Sequence, residues 1–206
     1  MRMIMFLLLA LLQLPLFAQA AGEADAVLDK ALAALKADAP VCMDYTYRVM
    51  DDDGELLQDD KGLIYMDGNR YALLMQDMKV WCDGKVQWSY MREVNEVYVT
   101  DAASDEAQSL SPIYIMEHYR AGRAVSVAAK DGVAVVELRS LAADAECVQL
   151  HIQQGNNRLV AMFIDMPGRG GVEVRLDGYT ANCGADGSVF TCPVDQFPTA
   201  EIIDMR

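Results

Sequence analysis

The chain has 206 residues, of which 53% are hydrophobic, so it is long enough for a single domain with a substantial core. Its 31 acidic residues outnumber its 17 basic residues, which gives a formal net charge of −14 at pH 7. This balance argues against nucleic acid and anionic membrane surfaces as partners, because both attract basic proteins. The acidity is equally consistent with a role in keeping the protein soluble.

Residues 1–20 have the layout of a secretory signal peptide. Arg2 precedes an apolar run that ends at Leu12, and Ala-Gln-Ala at 18–20 forms an A-x-A cleavage site. The run is too short for a spanning helix, although a retained anchor is the alternative. We predict that cleavage leaves residues 21–206 as one exported, soluble domain.

Residues 22–37 predict an amphipathic helix, because Leu28, Leu32 and Leu35 recur at helical spacing. Pro40 ends this helix, and beyond it short strands alternate with turns. Strands at this spacing predict an antiparallel meander. In chain order the predicted strands are VCMDYTYRVM, GLIYM, RYALLM, KVWC, KVQWSYM and EVYVT.

A second helix is predicted at residues 112–121, between two meanders. Ser111 is a suitable N-cap, Pro112 suits the first helical position, and Gly122 can end the helix. The strands of the second meander are AVSVAA, VAVVELRS, CVQLHIQ, RLVAMFIDM and VEVRLDGY. With about ten to eleven strands and two helices, the chain is predicted to be mostly β, of the α+β class.

The strand at 158–166 is apolar on both faces between Leu159 and Ile164, so both faces should be covered. Either helices cover one face, or the sheet curls around an apolar cavity. Ten of the 13 methionines follow residue 20. Methionine is a soft side chain, so these residues fill the core or line a binding cavity.

Five cysteines cannot all pair within one chain, and no C-x-x-C motif indicates zinc or thiol exchange. Cys183 and Cys192 flank a turn rich in Gly and Asp, which makes them the candidate disulfide. The alternative is that most of the cysteines are small buried hydrophobic residues.

No constellation of catalytic residues is found. His118 and His151 lack the spacing of a metal-binding helix, and no nucleophile elbow, P-loop or dinucleotide fingerprint occurs. The DDDG turn at 51–54 lacks the spacing of an EF-hand. We therefore predict a binding protein without catalytic residues, metal or cofactor, and a secreted hydrolase with a divergent site is the alternative.

Three segments resemble the periplasmic outer-membrane lipoprotein carrier family, LolA. VWCDGKVQWSY at 80–90 looks like that family's strand–DG–strand with a W-x-Y pair. LSPIYIMEHYRAG at 110–122 resembles the segment that opens its lid helix. VFTCPVDQFPTAEIIDMR at 189–206 is similar to the closing segment of a divergent branch.

The resemblance implies an open antiparallel β-barrel whose apolar concave face is closed by helices. Such a cavity would receive the acyl chains of lipoproteins, or other lipids, and carry them across the periplasm. An inner-membrane lipoprotein-releasing transporter and an outer-membrane acceptor are the implied partners, and we expect a monomer. A sensor of the same fold that detects lipids or envelope proteins is the alternative.

The expected site follows from the alternation of side chains along strands. Trp88 and Tyr90 share one strand face and are predicted to line the cavity. Met162 and Ile164 are assigned to the wall by the same alternation. Two further sets of residues follow from the resemblance: Ile113 and Met116 on the lid helix, and Arg70 as the cation that contacts the lid.

The C-terminal residues EIIDMR predict a final strand rather than a frayed end. In an extended segment Ile202 and Ile203 point to opposite sides, and Pro198 suits the start of a strand. Burial of both isoleucines would stabilise the fold by about 3 to 6 kcal/mol. A docking role for this tail is the alternative.

Overall fold

The computed structural model describes residues 14–104, 107, 113, 116–117, 123–140 and 146–206. In these residues one long helix precedes twelve strands, and two short 3-10 helices, Gly187–Phe190 and Val194–Gln196, lie before the last strand. The long elements are α1 (Leu14–Ala37), β1 (Val41–Met50), β2 (Leu56–Asp67), β3 (Arg70–Leu74), β4 (Met78–Cys82), β5 (Val86–Met91), β6 (Glu96–Asp101), β7 (Arg123–Lys130), β8 (Val133–Ser140), β9 (Cys147–Gln153), β10 (Arg158–Met166), β11 (Gly170–Thr180) and β12 (Glu201–Asp204).

The strands form one sheet in the order β12-β6-β5-β4-β3-β2-β1-β11-β10-β9-β8-β7, so the two meanders meet where β1 pairs with β11. The sheet is not closed, because β12 and β7 form its two ends. Neighbouring strands are antiparallel except that β12 pairs with β6 in parallel. The predicted mostly-β open barrel with a covering helix is thus confirmed.

All eleven predicted meander strands are present, and the tail adds the twelfth. β2 is longer than the predicted GLIYM segment, because it begins at Leu56. Its first half is polar and exposed, and pairing with β1 extends it: Met50 faces Leu56 and Arg48 faces Asp59 in the register. This half of β2 is held by backbone pairing, so its sequence carries no hydrophobic pattern that predicts a strand.

Helix α1 covers the face of the sheet that we call the inner face, packing against β7, β8 and β10. Its fully or nearly fully buried residues recur at helical spacing, as predicted for this segment. They are Ala24, Leu28, Ala31 and Leu32. With the inward residues of the strands they form the inner cluster, which is the main hydrophobic core.

The opposite, outer face carries a second apolar cluster on β3 to β6. This outer cluster contains Ala72, Trp81, Val97 and Val99 from the strands and Cys192 from the C-terminal segment, residues 181–206. Elsewhere the outer face is polar: on β1 and β11, Thr46 Oγ1 donates to Asp177 Oδ2 at 2.7 Å. The C-terminal segment therefore covers only the apolar part of this face.

The predicted disulfide between Cys183 and Cys192 is wrong. Cys183 is bridged to Cys42 at the start of β1, 141 residues away in sequence. Backbone bonds hold the two chain segments together there, since Cys183 N donates to the carbonyl of Pro40 at 2.9 Å. Cys192 lies instead in the outer cluster, where its buried thiol is not bridged. Closeness in sequence was a poor guide to the pairing, because the fold places Cys42 of β1 beside Cys183.

Helix α1 begins at Leu14, so it includes part of the segment predicted as a signal peptide. Residues 1–13 lie outside the described residues, and removal of residues 1–20 stays a prediction. Most of the predicted helix at 112–121 also lies outside them. Ile113, Met116 and Glu117 of that helix are described.

The predicted tail strand is confirmed, but burial of both isoleucines is wrong. Ile202 is 58% exposed, whereas Ile203 is half-buried. β12 is an edge strand attached by backbone bonds: Glu201 N donates to Asn95 O at 3.1 Å, and Met205 N donates to Val99 O at 2.9 Å. Among the described residues no element packs over its outer side chain.

Candidate functional site

A cavity of about 290 Å³ lies between α1 and the inner face. This volume is at the lower end of the roughly 300–1,000 Å³ that ligand pockets occupy. Aliphatic and methionine side chains from α1 and from strands in both halves of the sheet form most of the wall. The arrangement offers an apolar environment and no cluster of reactive groups.

Methionines form a large part of this wall. Those at the cavity come from β1, β2, β4, β10, the β3–β4 turn and the segment predicted as a lid. They are Met43, Met66, Met78, Met162, Met75 and Met116. Three of them, Met43, Met66 and Met116, also belong to the inner cluster, so they pack in the core and line the cavity at the same time. Unbranched thioether side chains can adjust to partners of irregular shape.

Tyr45 forms part of the wall because Gly62 leaves room for its ring. A Cβ at Gly62 would lie 2.6 Å from the Cε1 atom of Tyr45 and 2.5 Å from the carbonyl oxygen of Leu74. Burial, with a further contribution from nearby Asp60, raises the pKa of Tyr45 to about 12. The phenol therefore stays neutral at physiological pH.

Arg158 is the one charged residue that lines the cavity in the described part of the chain. Its Nε and Nη2 atoms donate to Asp38 Oδ2 at 3.3 and 2.9 Å, and the hydroxyl of Tyr179 donates to the same oxygen at 3.0 Å. The guanidinium carbon lies 4.0 Å from the centroid of the Tyr179 ring. Burial and the hydrogen bond to Asp38 raise the pKa of Tyr179 to about 12. We call these three residues the Arg158 corner.

Trp88 and Tyr90 do not line the cavity, so this prediction is wrong. They do share a face, but it is the outer one: Trp88 lies opposite Trp81, and the Tyr90 ring lies 4.3 Å from that of Phe197. Val80 and Cys82 on β4 point into the inner cluster, so Trp81 and its cross-strand partner must point outward. The alternation of side chains along a strand shows which residues share a face, but it does not show which face points inward.

Met162 lines the cavity, and its predicted contact with lipid stays a prediction. Ile164 lies on the same face and packs against the inner cluster, but it does not line the cavity. Ile113 and Met116 are buried in the inner cluster, and Met116 reaches the cavity. Lys36 Nζ on α1 donates to Glu117 Oε1 at 2.8 Å, and this ion pair connects the segment that carries Met116 to α1.

Arg70 does not contact the inner cluster, so its predicted role at the lid is wrong. The side chain lies on the outer face, forms an ion pair with Asp67, and stands 4.9 Å from the ring centroid of Phe190. Its neighbour Tyr71 points inward, and strand alternation therefore sends Arg70 outward. Its partners belong to the C-terminal segment and to the end of β2.

Sequence reasoning missed a buried polar contact at the inner cluster, to which Tyr71 belongs. The Tyr71 hydroxyl lies within hydrogen-bonding distance of Gln87 Oε1 and is 3.0 Å from the carbonyl oxygen of Ala107. Ala107 N in turn donates to Ser104 Oγ at 3.2 Å. A buried glutamine in an apolar strand was the signal that could have revealed this anchor.

Other polar features of the sequence have local structural surroundings. In the DDDG turn between β1 and β2, Asp51 Oδ1 accepts from Glu55 N at 2.8 Å. Asp52 Oδ1 accepts from Gly168 N at 3.1 Å, which joins this turn to the turn between β10 and β11. His151 lies 4.7 Å from the Phe163 ring, and burial lowers the pKa of its imidazole. The described residues hold no group of three or more potential metal ligands and no helix long and apolar enough to cross a membrane.

A family model described as outer membrane lipoprotein carrier protein LolA matches residues 14–158. No curated protein matches the chain. An uncharacterised conserved protein from Thermus thermophilus has a similar fold, with a TM-score of 0.53 and 10% identity over 88% of this chain and 99% of that one.

Two more distant structural matches come from bacteria. One is a LolA superfamily protein from Nitrosomonas europaea, with a TM-score of 0.44 and 11% identity over 83% of this chain and 98% of that one. The other is the MucA/MucB complex of Pseudomonas aeruginosa, with a TM-score of 0.43 and 9% identity over 84% of this chain and 62% of that one. Both are too remote to support a functional inference.

Proposed function

The chain belongs to the family described as outer membrane lipoprotein carrier protein LolA, and on that basis we propose that it is a carrier that binds the acyl chains of lipoproteins in its inner-face cavity. The observation that supports the proposal best is the cavity itself, which is lined by apolar side chains apart from the Arg158 corner. The cargo is shielded there from water while it crosses the periplasm to the outer membrane.

The size of the hydrophobic effect makes such a shield necessary. Each buried CH₂ group is worth about 0.8 kcal/mol, so an acyl chain of about sixteen carbons represents about 13 kcal/mol. A carrier must offset most of this free energy and still release its cargo. The soft methionine wall suits both needs, because it can close around a chain without a rigid fit.

Loading requires the cavity to widen, since its present volume of about 290 Å³ is small for a ligand site. We assign this movement to the segment that carries Ile113 and Met116, which contribute to the inner cluster. The Lys36–Glu117 ion pair is exposed, and pairs of this kind are worth at most about 1 kcal/mol. It would orient the segment without locking it.

The location and partners follow from the same proposal. The chain is exported to the periplasm, where residues 1–20 are removed. It acts there as a monomer. An inner-membrane lipoprotein-releasing transporter loads it, and an outer-membrane acceptor unloads it. A regulatory protein of this fold is the second candidate, and it would bind an envelope protein in place of lipid.

The test compares two substitutions that each add a carboxylate to the sheet. Met162→Glu places it in the cavity wall, and Leu63→Glu places it at a position on β2 that is 39% exposed. Met162→Glu should abolish uptake of a pyrene-labelled acyl ester, whereas Leu63→Glu should bind it like the wild type. Equal uptake by the two folded variants would contradict binding in this cavity.

A further inference from the structure

The Arg158 corner places a charged group in the wall of a largely apolar cavity. A guanidinium has five N–H donors. Nε and Nη2 of Arg158 both donate to one carboxylate oxygen, Asp38 Oδ2. Two of the five N–H groups are thus directed at Asp38, and the others give the side chain hydrogen-bonding capacity for a ligand in the cavity that it lines.

Backbone hydrogen bonds and a nearby disulfide fix the position of Asp38 in the Arg158 corner. The Asp38 amide donates to Ala34 O at 3.0 Å, and its carbonyl accepts from Asn182 N at 2.9 Å. The Cys42–Cys183 disulfide joins the same two chain segments. The Tyr179 hydroxyl donates to the carboxylate from a third direction. Asp38 is therefore not free to swing away when a ligand arrives.

The fixed carboxylate decides which head group fits. Arg158 and Asp38 together are neutral, so a ligand carboxylate would add a second anion beside Asp38. Like charges close together in a partly buried site repel each other, because the dielectric is low. An ester or amide carbonyl accepts a hydrogen bond and adds no charge. The net charge of −14 acts in the same direction.

We propose that the Arg158 corner is a head-group site that binds the ester or amide carbonyl of a neutral acyl ligand and discriminates against free fatty acids. The proposal rests on the proposed function and specifies its ligand class. Arg158 supplies the donor, Asp38 excludes the anion, and Tyr179 holds both in place.

The experiment measures how well two ligands with the same chain, lauric acid and 1-monolaurin, displace the neutral dye Nile red. The pH is mildly alkaline, so that the acid is ionised. For the wild type, the monoglyceride should bind about tenfold more tightly than the acid, as expected for one charge-assisted hydrogen bond against a repulsive contact. Equal or tighter binding of the acid would overturn the proposal.

Two variants separate the roles of the pair. Asp38→Asn should remove the discrimination by strengthening the binding of lauric acid, whereas Arg158→Gln should weaken the binding of monolaurin and leave the repulsion of lauric acid by Asp38 in place. Asp59→Asn is the matched control, because Asp59 pairs with Arg48 on the outer face at 3.3 Å. A preference that persists in Asp38→Asn, or that is lost in the control, would contradict the assignment.

The outcomes distinguish this inference from the proposed function. If neither ligand displaces Nile red from the folded wild type, the acyl-binding cavity itself is wrong. If both displace it with equal affinity, the carrier proposal stands and only the head-group site fails. Should Asp38→Asn not fold, the wild-type comparison of the two ligands still decides the question.

Discussion

The two faces of the sheet show how one set of strands can serve two purposes. The apolar part of the outer face is covered by the chain itself: Phe197 packs against Tyr90 and Trp81, and Phe190 of the same C-terminal segment is fully buried beside β3 and β4. The inner cluster keeps a cavity of about 290 Å³ between the sheet and α1. The occupant of the outer face is therefore encoded in the C-terminal segment, whereas the inner face has space for a separate ligand.

The side chains differ in the same way. The outer cluster depends on aromatic rings, which have few rotatable bonds and fixed shapes. The cavity wall depends on methionines, which are flexible and polarizable. Rigid packing suits a permanent contact, and a soft wall suits a contact that forms and breaks.

The largest expected effect is on the outer face. Phe190→Ala should lower the free energy of unfolding by about 3–5 kcal/mol, because the ring is fully buried and leaves a void. Denaturant unfolding measures this loss. Val194→Ala is the control, since Val194 is 43% exposed in the same segment. A loss below about 1 kcal/mol for Phe190→Ala would mean that the segment does not seal this face.

A smaller loss is expected from crowding the inner face. Gly62→Ala should destabilise the fold by about 1–3 kcal/mol, because the new methyl group would meet backbone oxygen at Leu74 and the ring of Tyr45. Displacement of Tyr45 should also reduce uptake of the acyl probe. Gly155→Ala is the control, because no atom lies within 4 Å of a Cβ there. Unchanged stability would show that the cavity wall yields to added volume.

Cavity tyrosines should make stability depend on alkaline pH. The pKa values of Tyr45 and Tyr179 are raised from 10.0 to about 12. Between these values the unfolded chain releases protons that the folded chain keeps, so the free energy of unfolding should fall as pH rises. Tyr45→Phe and Tyr179→Phe should each flatten this dependence in denaturant titrations. An identical slope in wild type and variants would refute the burial of these phenols in the cavity wall.

The smallest effect is expected at the tail. Deletion of residues 201–206 should lower stability by about 1–2 kcal/mol, well below the value expected from burial of two isoleucines, because Ile202 is 58% exposed. Thermal melting measures the change. A loss above about 3 kcal/mol would restore the packing role, and normal stability with failed delivery of cargo would indicate docking.

The sequence predicted the elements well because hydrophobic period and turn residues are local signals. It also predicted that Trp88 and Tyr90 share a face, yet it placed them on the wrong one. That choice depends on the C-terminal segment, more than a hundred residues away along the chain, which covers them. The pairing of Cys183 with Cys42 and the position of Arg70 were missed for the same reason, since both depend on contacts distant in sequence.

The central claim is that the inner cavity, and not the outer face, carries acyl chains. Native mass spectrometry of the full chain, purified from the envelope of its own host, tests it most directly. We expect a bound lipid or acylated protein in the wild type and in Leu63→Glu, and none in Met162→Glu. A wild type that carries only a regulatory protein, or a Met162→Glu variant that retains the lipid, would contradict the claim.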